Sequence, residues 1–143
     1  MITSTSAAGS SAVSITASNV NVKNCTISTT SAYGINLSPA GSGSTISKNN
    51  IVTTSGWGIN VGSSSNVIKD NVVQSPSIGI TLSSTVIANL LQNNKSCGTS
   101  AISINNSISP QAGDTSNICD SCTEAYSPDV ICNNAAGCLI PCT

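Results

Sequence analysis

The sequence predicts an all-β solenoid of about five stacked coils, followed by a cysteine-rich C-terminal tail. The apolar residues are mostly Val and Ile in short bursts, which favours strands over helices. A four-residue motif (small, aliphatic, polar, aliphatic) occurs five times, at intervals of 22, 24, 21 and 22 residues. One such period cannot bury its own apolar face, so successive periods must stack to form a continuous core.

Each period contains three short strand-like pieces separated by Ser, Gly and Asn. The first piece is the four-residue motif, which reads Ala12-Val13-Ser14-Ile15, Gly34-Ile35-Asn36-Leu37, Gly58-Ile59-Asn60-Val61, Gly79-Ile80-Thr81-Leu82 and Ala101-Ile102-Ser103-Ile104. Stacking in register would make Ile35, Ile59 and Ile80 vertical neighbours, about 4.8 Å apart along the axis.

A second piece begins with Asn in three of the periods. It includes Asn50-Ile51-Val52, Asn71-Val72-Val73 and Asn89-Leu90-Leu91. Identical amides at one position of a stack can hydrogen-bond along its axis. We therefore expect Asn50, Asn71 and Asn89 to form a structural ladder.

These repeats resemble the right-handed parallel β-helix repeats of the pectin-lyase-like superfamily. The resemblance covers about residues 10–107, and its characteristic pieces are Lys48-Asn49-Asn50-Ile51, Lys69-Asp70-Asn71-Val72 and the Gly-Ile-x-Leu strands. It implies a right-handed parallel β-helix over residues 1–109. The superfamily contains lyases, hydrolases, epimerases, adhesins and structural coils. The rival architecture, a β-sandwich, would show hairpins at irregular spacing instead of one motif in register.

Two segments interrupt the repeat and are expected to be surface loops. The first is 38–44, which is rich in Pro, Gly and Ser, and the second is 92–100, which contains Cys97. Pro and Gly in the first cannot continue a strand ladder.

The composition excludes several kinds of catalytic site. The chain has no His, which removes Ser-His-Asp and Cys-His catalysis and His metal sites. The resemblance implies that an active polysaccharide-cleaving member would use clustered Asp residues. Here Asp70 is the sole carboxylate of the repeat region; the other four are Asp114, Asp120, Glu124 and Asp129. We therefore predict a non-enzyme with no catalytic residues, cofactor or metal. The alternative is a degenerate fragment of a polysaccharide-active β-helix enzyme.

Five residues are candidates for glycan contact. Tyr33 and Trp57 each precede the small residue of a repeat, so they should line up at one corner, where aromatic faces could stack on sugars. Lys23, Lys48 and Lys69 should form a stripe on one exposed edge. The competing interpretations are that the aromatic rings cover the core and that the lysines are solvated gatekeepers.

A nucleic-acid partner and a membrane span are not expected. Four Lys and no Arg at a net charge of −1 cannot supply the phosphate-neutralising surface of a nucleic-acid binder. No apolar stretch approaches the roughly 20 residues of a membrane span.

The tail, residues 110–143, is predicted to be a disulfide-stapled cap. The chain has seven Cys, and five of them lie between 119 and 142. A zinc site built on Cys119 and Cys122 would need a second cysteine pair of matching spacing, which the sequence lacks. A redox Cys-x-x-Cys motif would need a βαβ context, which the sequence also lacks. Cys25 is expected to be free in the stack, and the disulfide candidates are Cys97, Cys119, Cys122, Cys132, Cys138 and Cys142. Their pairing cannot be chosen from the sequence.

The predicted function is that of a non-catalytic extracellular structural solenoid. Seven Cys indicate an oxidising compartment, although no secretory signal is visible. Residues 1–9 supply no amphipathic helix to cover the N-terminal end, so either further coils precede it or copies self-associate head-to-tail through the solenoid ends into a filament. A surface or adhesin module and a glycan-binding module are the alternatives.

Overall fold

The fold is a parallel β-solenoid, as predicted. The computed structural model describes residues 1–4 and 9–97, and after them the strand backbone at 100–104, 112–113, 117–119, 122–124 and 132–133. Every described strand pairs in parallel with its counterpart in a neighbouring coil, and the strands form three sheets, here named A, B and C. No described residue lies in a helix that is long and apolar enough to cross a membrane.

Each coil contributes one strand to each sheet, in the order B, C, A. Sheet B contains β2 (Ser11–Ile15), β5 (Tyr33–Leu37), β8 (Trp57–Val61), β11 (Ile78–Leu82), β14 (Ser100–Ile104) and β17 (Cys122–Glu124). Sheet C contains β3 (Asn21–Lys23), β6 (Thr45–Ser47), β9 (Val67–Lys69), β12 (Leu90–Gln92) and β15 (Ala112–Gly113). Sheet A contains β1 (Ile2–Ser4), β4 (Thr26–Thr29), β7 (Asn50–Thr53), β10 (Val72–Gln74), β13 (Lys95–Cys97), β16 (Asn117–Cys119) and β18 (Cys132–Asn133). Coil 1 comprises β2–β4, coil 2 β5–β7, coil 3 β8–β10 and coil 4 β11–β13.

The core is built from aliphatic side chains that stack on one another from coil to coil. Ile35 pairs with Ile59, and Ile59 pairs with Ile80, which confirms the predicted vertical neighbours. These isoleucines are fully buried, and equivalent columns fill the inner faces of sheets A and C. Stacked β-branched residues on pleated strands explain why sequence periods of about 22 residues produce one continuous core.

The longer corners lie between sheets B and C. Seven residues (38–44 and 83–89) join these strands in coils 2 and 4, whereas five residues suffice in coils 1 and 3. The predicted loop at 38–44 is therefore confirmed. The predicted loop at 92–100 is wrong, because β13 occupies Lys95–Cys97 and pairs with β10.

Strand pairing continues past the predicted domain boundary at 109/110. The backbone of β15 pairs with β12, that of β16 with β13, and that of β17 with β14. Short strands of the tail region thus extend the same three sheets. The side chains of that region lie outside the described residues, and so does the predicted disulfide-stapled cap.

The small residue of each repeat lies inside the sheet B strand. A Cβ on Gly58 would stand 2.1 Å from Val73 Cγ1 and 2.5 Å from the Gly79 carbonyl oxygen. A Cβ on Gly34 would stand 2.5 Å from Ile51 Cγ2. Glycine is therefore required here by the close approach of sheets A and B.

Candidate functional site

Sheet C is bracketed by two corners whose last two residues follow the same pattern. At each corner one residue with positive φ is followed by one residue that precedes the next strand. At the B–C corner the positive-φ residues are Asn19, Gly43, Ser65 and Ala88, with φ of 58°, 71°, 61° and 55°. At the C–A corner they are Asn24, Lys48, Asp70 and Asn93, with φ of 56°, 55°, 56° and 50°. A single left-handed residue bends the chain sharply enough for the following side chain to enter the interior.

Buried amides fill the C–A corner and form a continuous ladder. Asn49 Nδ2 donates to Asn71 Oδ1 at 3.0 Å, and Asn71 Nδ2 donates to Asn94 Oδ1 at 2.9 Å. The same oxygens accept the backbone N–H of Asn49 and of Asn71. Each amide also donates to a carbonyl of the preceding coil, such as Asn71 Nδ2 to Ile46 O at 2.9 Å. The ladder thereby satisfies both the amides and the backbone of the tight corner.

A second ladder fills the B–C corner. The backbone N–H of Ser44 donates to Asn66 Oδ1 at 2.8 Å, and that of Asn66 donates to Asn89 Oδ1 at 2.9 Å. Asn66 Nδ2 also donates to Asn89 Oδ1, at 3.0 Å. All three residues are buried.

The predicted single ladder of Asn50, Asn71 and Asn89 is therefore wrong. Asn71 belongs to the ladder of the C–A corner and Asn89 to that of the B–C corner. Asn50 is exposed and pairs with Thr26 and Val72 in sheet A. Because Ile51 and Val73 are the buried partners, the register aligns Asn71 with Asn49.

This register also corrects the prediction that the lysines form a single stripe. Lys23 and Lys69 occupy one column with Ser47 between them. Lys48 lies one position later, in the positive-φ column that also contains Asp70. Lys95, at the start of β13, is at the same corner and pairs with Val72. The four lysines therefore cluster at the C–A corner, one per coil, although they do not form a straight row; this group is called the lysine corner below.

Asp70 is the carboxylate of this corner. Asn93 Nδ2 donates to Asp70 Oδ1 at 2.8 Å, across one coil spacing. Among the residues with described side chains, no three His, Cys, Asp or Glu come together as metal ligands would. The hydrogen bond from Asn93 makes Asp70 part of the contact between coils 3 and 4.

Tyr33 and Trp57 are neighbours at the start of the sheet B strands. They pair in register, and their ring centroids are 5.5 Å apart with the planes at 75°. Edge-to-face packing leaves no common flat platform for a sugar, and both side chains are half-buried. On the same two strands, Asn60 Nδ2 donates to Asn36 Oδ1 at 2.7 Å.

The five predicted glycan-contact residues are not brought together. The aromatic pair begins sheet B, and the lysine corner precedes sheet A. A whole sheet A strand, such as Thr26–Thr29, separates them along the chain. A ligand contacting both groups would have to span that strand.

The third corner, between sheets A and B, is closed by hydroxyl groups. Thr53 Oγ1 and Ser75 Oγ both donate to the Gly56 carbonyl oxygen, at 3.1 and 2.6 Å. Ser75 Oγ also accepts the backbone N–H of Ser77 at 3.1 Å. Because a hydroxyl can both donate and accept, these side chains satisfy the backbone groups of this corner without an amide ladder.

The described cysteines lie within the coils. Cys25 occupies the ladder position of coil 1, and its thiol is free, as predicted. Its backbone N–H donates to Asn49 Oδ1 at 3.0 Å. Cys97 is buried in β13. The side chains of the disulfide candidates Cys119, Cys122, Cys132, Cys138 and Cys142 lie outside the described residues, so their pairing stays a prediction.

Comparison with known proteins agrees with this architecture. A family profile described as "Right handed beta helix region" matches residues 2–123. No curated protein matches the chain significantly. No solved structure does so either. Since the profile covers most of the 143 residues, the chain belongs to the right-handed β-helix family.

Proposed function

We propose that the chain is a non-catalytic structural module that works outside the cell or on its surface. The observation that supports this most directly is the use of its buried polar residues. In coils 2 to 4 they form ladders that run along the axis and join each coil to the next. Such ladders favour a stiff rod whose stability comes from contacts between neighbouring coils. The seven cysteines favour an oxidising compartment.

Self-association through the solenoid ends is part of this proposal. In coil 1, Val13 and Val22 are only partly buried, although their register partners Ile35 and Ile46 are fully buried. Val20 and Cys25 are also partly buried and stand where other coils place ladder residues. Where another copy packs a coil against these side chains, apolar surface is buried, and such a head-to-tail contact builds filaments.

Sedimentation velocity over a wide concentration range, with electron microscopy, tests the end contact. We expect filaments or a rising sedimentation coefficient in the wild type. Val20→Ser should weaken assembly, because it removes apolar surface. Serine fits this position, since coil 2 has Ser44 at the equivalent place. Ser14→Ala, on the exposed outer face of coil 1, is the matched control and should assemble normally. Strict monomers would contradict self-association, and polysaccharide cleavage by the purified chain would contradict the non-catalytic proposal.

Glycan binding is the second candidate, and the geometry of β5 and β8 favours one particular form of it. The half-buried Trp57 and Tyr33 lie on the same two strands as the amide pair of Asn36 and Asn60. A single half-buried aromatic side chain beside amides suits a neutral sugar, and the lysine corner would take no part. Trp57→Ala should abolish binding on a glycan array, and Lys48→Gln should leave it unchanged. An array on which the wild type binds nothing would remove this candidate.

A further inference from the structure

The positive charge of the chain is concentrated at one corner of the solenoid. All four lysines fall within a four-residue register window that brackets the C–A corner. The outer row of sheet B has Ser14, Asn36, Asn60 and Thr81 at equivalent positions and carries no charge. Solubility alone would be served by cations on any outward position, so their restriction to one corner needs a further reason.

Because the buried ladder amides fill the inside of this corner, its outer surface is a convex ridge. Coils are about 4.8 Å apart, so four lysines in four coils lie along about 14 Å of the axis. Lys23 and Lys48 are exposed, and Lys69 and Lys95 are half-buried. Val72, the register partner of Lys95, is 39% exposed and adds an apolar contact beside the cations.

The convex shape decides between a flat partner and a linear one. Proteins that hold a linear polyanion generally do so in a positively charged groove that follows its backbone. A ridge touches a flat surface along its whole length and lets lysine stems extend their ammonium groups into it. We propose that the lysine corner docks the solenoid sideways onto an anionic phospholipid surface.

Asp70 opposes this docking and supplies a test of opposite sign. It lies in the positive-φ column directly after Lys48 and is the one carboxylate among the residues with described side chains at this corner. Its negative charge faces the same headgroups as the lysines. Asp70→Asn should therefore strengthen binding, while the substituted amide can still accept the hydrogen bond from Asn93 Nδ2.

Vesicle co-sedimentation of the purified chain measures the interaction. We expect binding to vesicles of phosphatidylcholine containing one third phosphatidylglycerol, none to pure phosphatidylcholine, and loss of binding as salt rises. Each lysine near an anionic surface contributes enough that Lys48→Gln should weaken binding about fivefold. Asp70→Asn should strengthen it by a comparable factor. Circular dichroism of each variant confirms that the fold is retained.

A charge-conserving control separates this corner from net charge. The double variant Lys48→Gln with Ser14→Lys moves one cation to the outer face of sheet B. It should bind as weakly as Lys48→Gln alone. Wild-type binding by the double variant would overturn the proposal, as would equal binding to both vesicle types. Tighter binding to soluble polyphosphate than to vesicles would also overturn it, in favour of a linear polyanion.

Discussion

The amide corners that flank sheet C differ from the hydroxyl corner between sheets A and B in how many hydrogen bonds to other coils each side chain makes. At the amide corners the backbone N–H of Asn49 depends on Asn71 of the next coil. At the hydroxyl corner two side chains, Thr53 and Ser75, donate to one carbonyl, that of Gly56. Asn71 forms side-chain hydrogen bonds to the coils on both sides of it, whereas Ser75 bonds one neighbouring coil and Thr53 bonds within its own corner. Coupling between coils should accordingly be strongest where the amides are.

The largest effect is expected at the middle of the ladder. Asn71→Ala removes the acceptor of the Asn49 N–H and the donor to the Ile46 carbonyl, and it leaves a cavity at a fully buried position. The free energy of unfolding should fall by about 3 to 5 kcal/mol. Urea denaturation followed by circular dichroism measures it.

Asn50→Ala is the matched control for this substitution. Asn50 is exposed at the start of β7, so Asn50→Ala should change the free energy of unfolding by no more than about 0.5 kcal/mol. Equal destabilisation by the two substitutions would show that the ladder does not follow the described register.

A smaller loss is expected at the hydroxyl corner. Ser75→Ala removes one donor to the Gly56 carbonyl, but Thr53 Oγ1 remains as the other. We expect a loss of about 1 to 2 kcal/mol in the same denaturation experiment. A loss as large as that of Asn71→Ala would mean that the two kinds of corner are energetically alike.

Extending the ladder into coil 1 should stabilise the chain. Cys25→Asn places an amide where its Nδ2 can donate to Asn49 Oδ1, which already accepts the backbone N–H of residue 25. The expected gain in the free energy of unfolding is about 1 kcal/mol. A thermal melt that shifts downward would argue that coil 1 does not have the corner geometry of coil 2.

The smallest effect concerns the left-handed residues themselves. Ala88 has φ of 55°, a conformation that costs an L-residue about 1 kcal/mol or more. Ala88→Gly relieves this cost but adds freedom to the unfolded chain, for a net gain of about 0.5 kcal/mol. Gly43→Ala, in the same column, should have the opposite sign, because its Cβ would stand 2.7 Å from Asn19 Oδ1. Precise calorimetry of both variants measures the two effects.

The stacking of Ile35, Ile59 and Ile80 could be predicted because each stands in an almost identical motif. The ladder could not be predicted with the same accuracy. Asn50-Ile51-Val52 and Asn71-Val72-Val73 look alike, yet Ile51 and Val73 are the residues that face inward. Aligning two repeats with an error of one residue moves each side chain to the other face of the strand. Such an error places both Asn50 and Lys48 in the wrong column.

Coil 4 illustrates a second limit of sequence reasoning. Val86-Ile87 and Leu90-Leu91 are both aliphatic pairs, and only the second lies in sheet C. The B–C corner of this coil has seven residues where coils 1 and 3 have five, and β13 lies within the predicted loop at 92–100. The repeat period does not reveal this, because the motif interval is 22 residues in both coil 1 and coil 4. The Tyr33–Trp57 contact was predictable from spacing alone, whereas the angle between the rings was not.

The direction of the ladders has a consequence for biosynthesis. Asn49 and Asn71 each rely on an oxygen that is supplied by the coil translated after them. In a growing polypeptide, the hydrogen-bond donors at two corners of the newest coil therefore have no protein acceptor until roughly another 22 residues have left the ribosome. Folding should advance from the N-terminus one coil at a time, and each coil should be less stable until the following coil has folded against it.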